Sequence, residues 1–95
     1  MDTGKINRLI AEECFGCCKE CIENAVKNQR FTKSINHCVL ACEKKGWCWE
    51  IKSEHGIIEV MINGEGRWTE KSSVPFLFAK VIAEKIQKER ETYEH

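Results

Sequence analysis

Four of the protein's seven cysteines fall within the segment CFGCCKEC, at Cys14, Cys17, Cys18 and Cys21. Thiolates can bind structural zinc or act as nucleophiles, while neutral thiols also serve as small apolar core residues. Positions i, i+3, i+4 and i+7 share one face of a helix. A continuous helix would therefore carry these four thiols on the apolar face of Ile6 and Ile10.

A zinc site is one interpretation of the cysteines. Two thiolates from CFGCCKEC, with Cys14 and Cys17 as the best pair, could combine with Cys38 and Cys42 on a second helix. His37 points about 100° away from Cys38 on that helix, which makes it a poor ligand. Most zinc modules take a cysteine pair from a turn, so we predict buried free thiols and no cofactor, with zinc as the alternative.

Catalytic patterns are absent from the sequence. A reactive thiolate needs a neighbouring His, Lys or helix N-terminus, and neither His37 nor His55 has a sequence link to any cysteine. Asp2 is the only aspartate, and the glycines of NGEG are typical of a hairpin turn rather than a phosphate-binding loop. We therefore predict that the protein is not an enzyme.

Charge and cysteine number limit the environment and the partners. The 95 residues contain 15 basic and 15 acidic side chains, a balance that disfavours general nucleic-acid binding. The N-terminal residues lack the apolar run of a signal peptide, and no segment has the length of a membrane span. An odd number of cysteines also disfavours a closed disulfide set. We expect a cytoplasmic protein without membrane association.

Hydrophobic periodicity predicts an α+β fold. A first helix begins near residue 3, and either Gly16 ends it or a bent helix continues to about Val26. A second helix runs from Ser34, with Thr32 or Ser34 as its cap, to about Lys44 before Gly46. WCWEIK, IIEVMIN and RWTEK alternate with period two, and Ser72 or Ser73 precedes a last helix whose charged end beyond Gln87 should fray.

These elements predict one domain, residues 1–95, in the order α-α-β-β-β-α. Three helices pack on a three-stranded antiparallel meander, with a helical part at 3–45, the sheet at 46–71 and the last helix at 73–90. The predicted core is Leu9, Ile10, Ile35, Val39, Ile58, Val60, Ile62, Leu77, Phe78, Val81 and Ile82.

Three tryptophans in the sheet region, Trp47, Trp49 and Trp68, are the candidate partner-binding residues, because tryptophan is enriched in interface hot spots. The competing interpretation is that at least two of these rings pack under the helices. The partner is not identified by the sequence. Self-association is the simplest hypothesis, since a three-stranded sheet has two open edges.

Several segments together resemble a known family. INRLIAEECFG, FTKSINHCVLACEKKGW and SSVPFLFAKVIAEKI are similar, in this order, to helices of small phage and prophage proteins with the phage ABA sandwich domain. The resemblance implies a phage-derived accessory protein in the bacterial host cytoplasm, acting as a binding module, and it implies no reaction. CCKEC departs from the family pattern, so the resemblance implies no metal.

The order helix, three-strand meander, helix also resembles double-stranded RNA-binding domains. That resemblance implies lysines at the start of the last helix, where phosphates would bind. Here the segment is SSVPFLFAK, with Lys71 and Lys80 as its nearest lysines. RNA binding is therefore an alternative to the interaction module, supported by element order alone.

Overall fold

Residues 2–69 and 73–93 are described by a computed structural model. Within them the chain forms α1 (Thr3–Phe15), α2 (Lys19–Lys27), α3 (Ile35–Lys45), β1 (Trp49–Glu54), β2 (Ile57–Ile62), β3 (Glu65–Thr69) and α4 (Val74–Tyr93). The predicted α+β class, with an antiparallel meander between helices, is confirmed.

Gly16 ends the first helix, so the chain does not continue as one bent helix to Val26. Its φ of 57° and ψ of 35° lie in the left-handed region, which glycine adopts without a side-chain penalty. The Gly16 N–H donates to Glu12 O at 3.1 Å, and the Cys17 N–H donates to Ala11 O at 3.3 Å. The predicted continuous stripe is thus two helices, α1 and α2, and the described residues contain four helices rather than three.

The boundaries of α3 agree with its predicted signals. Ser34 is the N-cap, and its Oγ accepts from the His37 N–H at 3.4 Å. Gly46, with a φ of 70°, closes the other end in the left-handed conformation. Ser34 rather than Thr32 is therefore the cap.

Two tight turns set the register of the sheet. Asn63 and Gly64 both have positive φ in the β2–β3 turn, as predicted from NGEG, and His55 and Gly56 do the same between β1 and β2. The strands pair antiparallel in the order β1-β2-β3. The predicted start of β1 was too early, because the strand begins at Trp49. Trp47 belongs to the cap at the end of α3, and Cys48 connects that cap to the strand.

The third strand begins earlier than predicted. It starts at Glu65 rather than Arg67, because the turn needs only Asn63 and Gly64. The predicted end of the sheet at Lys71 and the alternative cap Ser72 lie outside the described residues. Ser73 does cap α4, since its Oγ accepts from the Phe76 N–H at 3.3 Å.

The hydrophobic core surrounds α4. This helix packs against α1 and α3 and also against β2 and β3, so it separates the other helices from the sheet. Most predicted core residues are buried, while Val39 and Ile58 are half-buried against the core. The prediction that Ile35 belongs to the core was wrong, because 39% of its surface is exposed. It is the first residue of α3 and lies at the end of the stripe formed by Cys38, Ala41 and Cys42.

The last helix extends further than predicted. It continues to Tyr93, although its charged end was expected to fray after Gln87. Arg90 provides a physical reason, because its guanidinium forms ion pairs with Glu12 and Glu13 of α1. Within the described residues, no helix is both long and apolar enough to cross a membrane.

Asn7 holds the α2–α3 connection against α1. Its Nδ2 donates to Thr3 O at 2.8 Å and to Thr32 Oγ1 at 3.1 Å, and its Oδ1 accepts from the Phe31 N–H at 2.7 Å. Asn7 and Phe31 are both buried. The sequence placed Phe31 in a loop and did not predict this contribution to the core.

Candidate functional site

Three cysteines form the buried set, Cys14, Cys38 and Cys42. Cys38 and Cys42 face the core from α3, as predicted, and Cys14 of α1 is buried in the same core. Burial raises the pKa of Cys38 and of Cys42 to about 12 and that of Cys14 to about 11, against an ordinary value of 9.0. These thiols are neutral near neutral pH and therefore poor nucleophiles.

Hydrogen bonding reinforces the neutral state of Cys38. Its thiol donates to the Phe31 carbonyl at 3.1 Å, with the Pro75 carbonyl 3.8 Å away. Both carbonyls accept from the protonated thiol, so they favour the form that burial also favours. Cys38 thereby connects the α2–α3 turn to the start of α4, which is a structural role.

Cys18 and Cys21 form the exposed pair, and the prediction that they continue the apolar face of α1 is wrong. Gly16 redirects the chain, so Cys18 becomes the N-cap residue of α2 and Cys21 lies in its first turn. Both residues are exposed, and their Sγ atoms lie 3.4 Å apart. Two thiols in contact at a helix N-terminus can exchange with disulfides or bind a thiophilic ion.

The two thiols of the exposed pair have opposite pKa shifts. The pKa of Cys18 is lowered, because the Cys21 backbone N–H and then the Cys21 thiol stabilise its thiolate. The pKa of Cys21 is raised, first by its hydrogen bond to Cys18 and then by the charge of that thiolate. The neutral Cys18 side chain makes no capping hydrogen bond, so the amide donors of the first turn remain available to the thiolate.

The proposed zinc ligands do not come together as a set. Cys14, Cys38 and Cys42 lie in the core and Cys17 is half-buried beside it. Among the described residues, no three His, Cys, Asp or Glu side chains are close enough to hold a metal ion. All seven cysteines lie in this described part, and each is a free thiol.

Trp47 is half-buried, and two lysines lie close to its ring. The Lys45 Nζ is 5.5 Å and the Lys85 Nζ 5.2 Å from the centre of its ring, within the range of cation–π contacts. The ring also packs against the core. The ring is therefore contacted by groups of the same chain and offers less surface to a partner than an exposed side chain does.

Trp49 lies at the start of β1 and on the helix-facing side of the sheet, opposite Ile62. Its ring contacts that of Phe78 at a centroid distance of 5.6 Å, and 41% of its surface is exposed. The ring therefore borders the core at the edge of the sheet. Trp49 is available to a partner only in part.

Trp68 is the most exposed of the three, at 68%. It lies on the outer face of the sheet, the face opposite α4, in one row with Glu59 and Lys52 of the neighbouring strands. A shallow depression of about 270 Å³ is lined by Lys52, Glu54, His55, Ile57, Glu59 and Trp68. The structure thus gives the three tryptophans different environments, and Trp68 is the most available of the three rings.

The start of α4 gives no support to RNA binding. Its first turn presents Val74, Pro75 and Phe76, and Lys80 comes almost two turns into the helix. The other lysine of the prediction, Lys71, lies outside the described residues. The strands place Glu50, Glu54 and Glu59 on the outer face of the sheet together with Lys52, and this excess of carboxylates disfavours phosphate.

Sequence reasoning missed the special position of Cys18. The available signal was a glycine followed by CCKE, because Gly16 can end one helix and Glu20 favours the first turn of the next. It also missed Lys85, whose contact with Trp47 joins residues far apart in the chain.

Comparisons with protein-family models, curated proteins and solved structures give no match. The resemblance to the phage ABA sandwich family therefore stays a prediction from sequence.

Proposed function

We propose that this protein is a non-catalytic interaction module that binds a second copy of itself through the outer face of its sheet. The observation that carries the proposal is the 68% exposure of Trp68 on the sheet face opposite α4. A large aromatic ring kept in solvent costs hydration free energy, and such rings are enriched among interface hot spots.

The surroundings of Trp68 suit a protein partner. Ile57 and Met61 share the outer face and are half-buried, so apolar surface extends beyond the ring itself. Lys52 and Glu59 occupy the same cross-strand row as Trp68. A mixed apolar and charged surface of this kind resembles the core and rim of a protein interface.

Charge and sheet topology favour a second copy as the occupant. The chain has a formal net charge of zero, so two copies meet without long-range repulsion. The outer face carries both signs, which allows Lys52 of one copy to meet Glu54 or Glu59 of the other. In addition, β1 and β3 are the edge strands of the described sheet and have backbone groups that another strand can pair with.

A phage or prophage origin and a place in the bacterial host cytoplasm belong to the same proposal. They rest on the sequence resemblance alone. The absence of catalysis rests on the sequence pattern, together with the neutral state of the buried thiols.

The experiment is analytical ultracentrifugation of the wild type, Trp68→Ala and Leu40→Ala over a micromolar concentration series. Leu40 is the control, since it is 46% exposed but lies on α3, away from the sheet. Trp68→Ala should weaken the dimer at least about tenfold, as loss of a hot spot does. Leu40→Ala should leave the dissociation constant unchanged. A wild type that stays monomeric at high micromolar concentration contradicts the proposal.

A further inference from the structure

We propose that Cys18 and Cys21 form a redox-active dithiol that exchanges with disulfides of small thiols and closes to a reversible Cys18–Cys21 disulfide. The site lies on the helical side of the molecule and shares no residue with the Trp68 surface. It is independent of the proposed self-association.

Geometry carries the inference first. The two Sγ atoms are 3.4 Å apart, whereas a disulfide bond is about 2.0 Å long, so closure needs an approach of about 1.4 Å. Both side chains are exposed, Cys18 at the N-cap and Cys21 in the first turn of α2, without the packing that fixes core rotamers. Side-chain rotation can bring the sulfur atoms together while α1 and the core stay in place.

The two thiols are also suited to different steps. Cys18, at the N-cap, has the thiolate that the Cys21 N–H and thiol stabilise, so it is the attacking group. Cys21 has a raised pKa and stays protonated to higher pH, so it is the resolving group. Exposure allows a small disulfide to reach Cys18 directly, which the buried Cys38 and Cys42 do not permit.

The reaction has two balanced steps. The Cys18 thiolate attacks one sulfur of a disulfide R–S–S–R, a mixed Cys18–S–S–R bond forms, and R–S⁻ leaves and takes up the proton that Cys18 released. Cys21 then loses its proton and attacks the Cys18 sulfur, which expels the second R–S⁻ as a thiol. In total the protein loses two electrons and two protons, and the disulfide gains both.

Cys17 is the nearest competitor for either role. It is half-buried against the core and close enough for its charge to raise the pKa of Cys21. It precedes α2, however, whereas the contact between sulfur atoms joins Cys18 and Cys21. A test must therefore identify which sulfur atoms become linked.

The test exposes reduced protein to buffers with a rising ratio of oxidised to reduced glutathione. After an acid quench, the protein is transferred to neutral buffer with denaturant, so that buried thiols also react, free thiols are alkylated with N-ethylmaleimide, and the intact mass is measured. We expect the wild type to lose two of its seven alkylatable thiols in one step, without retaining glutathione. Peptide fragmentation should link Cys18 to Cys21, and Lys19 between them allows trypsin to separate the two halves.

Variants assign the roles. Cys21→Ser should retain one glutathione on Cys18, because the resolving thiol is missing, and Cys18→Ser should form no internal disulfide. Cys17→Ser and Cys48→Ser are the matched controls and should still lose two thiols. Circular dichroism verifies that each variant folds. The proposal is overturned if the wild type keeps all seven thiols at every ratio, if the linked pair includes Cys17, or if Cys21→Ser carries glutathione elsewhere.

Discussion

Cys38 and Cys42 lie in the middle of α3 and face the core, whereas Cys18 and Cys21 lie at the start of α2 with both side chains in solvent. The pKa of each buried thiol is raised by desolvation, while that of Cys18 is lowered by donors of its own helix turn. The residue type is the same, so the difference comes from position alone. A left-handed glycine at Gly16 creates that difference, because it ends α1 and makes Cys18 the N-cap residue of a new helix.

The largest effect should follow from placing a charge at each kind of site. Cys42→Asp puts an ionised carboxylate into the core, and we expect it to lower the free energy of unfolding by at least about 3 kcal/mol. The matched variant Cys18→Asp puts the same carboxylate at the N-cap of α2, where aspartate is a preferred residue, and should stabilise slightly. Urea unfolding measures both. Equal destabilisation by the two variants would contradict the comparison.

High pH should weaken the protein through the buried thiols. Their pKa values are about 11 to 12 in the folded state and 9.0 ordinarily, so the unfolded chain releases protons first as pH rises. The stability that burial of neutral thiols contributes is complete below pH 9.0 and declines from there towards pH 12. Denaturant titrations across this range should show the decline, with a shallower slope in Cys42→Ala.

The control for this pH effect is Cys48→Ser, because Cys48 is exposed. Its slope above pH 9 should equal that of the wild type. A Cys42→Ala slope as steep as the wild type would show that thiol burial does not cause the decline.

A substitution at the helix break should change the free energy of unfolding by less than a charge in the core does, and the sign of the change is informative. Gly16→Ala adds a Cβ that meets no atom within 4 Å, but φ of 57° is unfavourable for alanine. We expect a loss of about 1 kcal/mol in the free energy of unfolding. In a continuous helix the same substitution would stabilise by a similar amount. Thermal or urea unfolding therefore distinguishes a break from a continuous helix by sign.

Local signals made much of the fold predictable. Short-range preferences predicted the caps of α3 at Ser34 and Gly46 and the turn at Asn63-Gly64. The structure has both caps and the turn at these positions. Strand alternation likewise placed Trp68 on the opposite side from Thr69, as the β2–β3 register has it. These features depend on neighbours in sequence, which is why the sequence predicts them.

The candidate sites were less predictable because they depend on contacts between distant residues. Helical spacing alone placed Cys18 and Cys21 on a buried face, since the spacing is compatible with one helix or two. Phe31 is buried because Asn7 of α1 binds its backbone, a contact across 24 residues. The exposure of Trp68 also depends on long-range packing, because α4 covers the opposite face of the sheet.

Site-resolved thiol labelling tests the separation of the two cysteine sets most directly. Native protein is pulsed with N-ethylmaleimide near neutral pH and each cysteine is quantified by peptide mass spectrometry. We expect rapid labelling of Cys18, followed by Cys21, with Cys14, Cys38 and Cys42 protected until denaturant unfolds the chain. Protection of Cys18 equal to that of Cys38, or labelling of Cys38 as fast as that of the exposed Cys48, would contradict it.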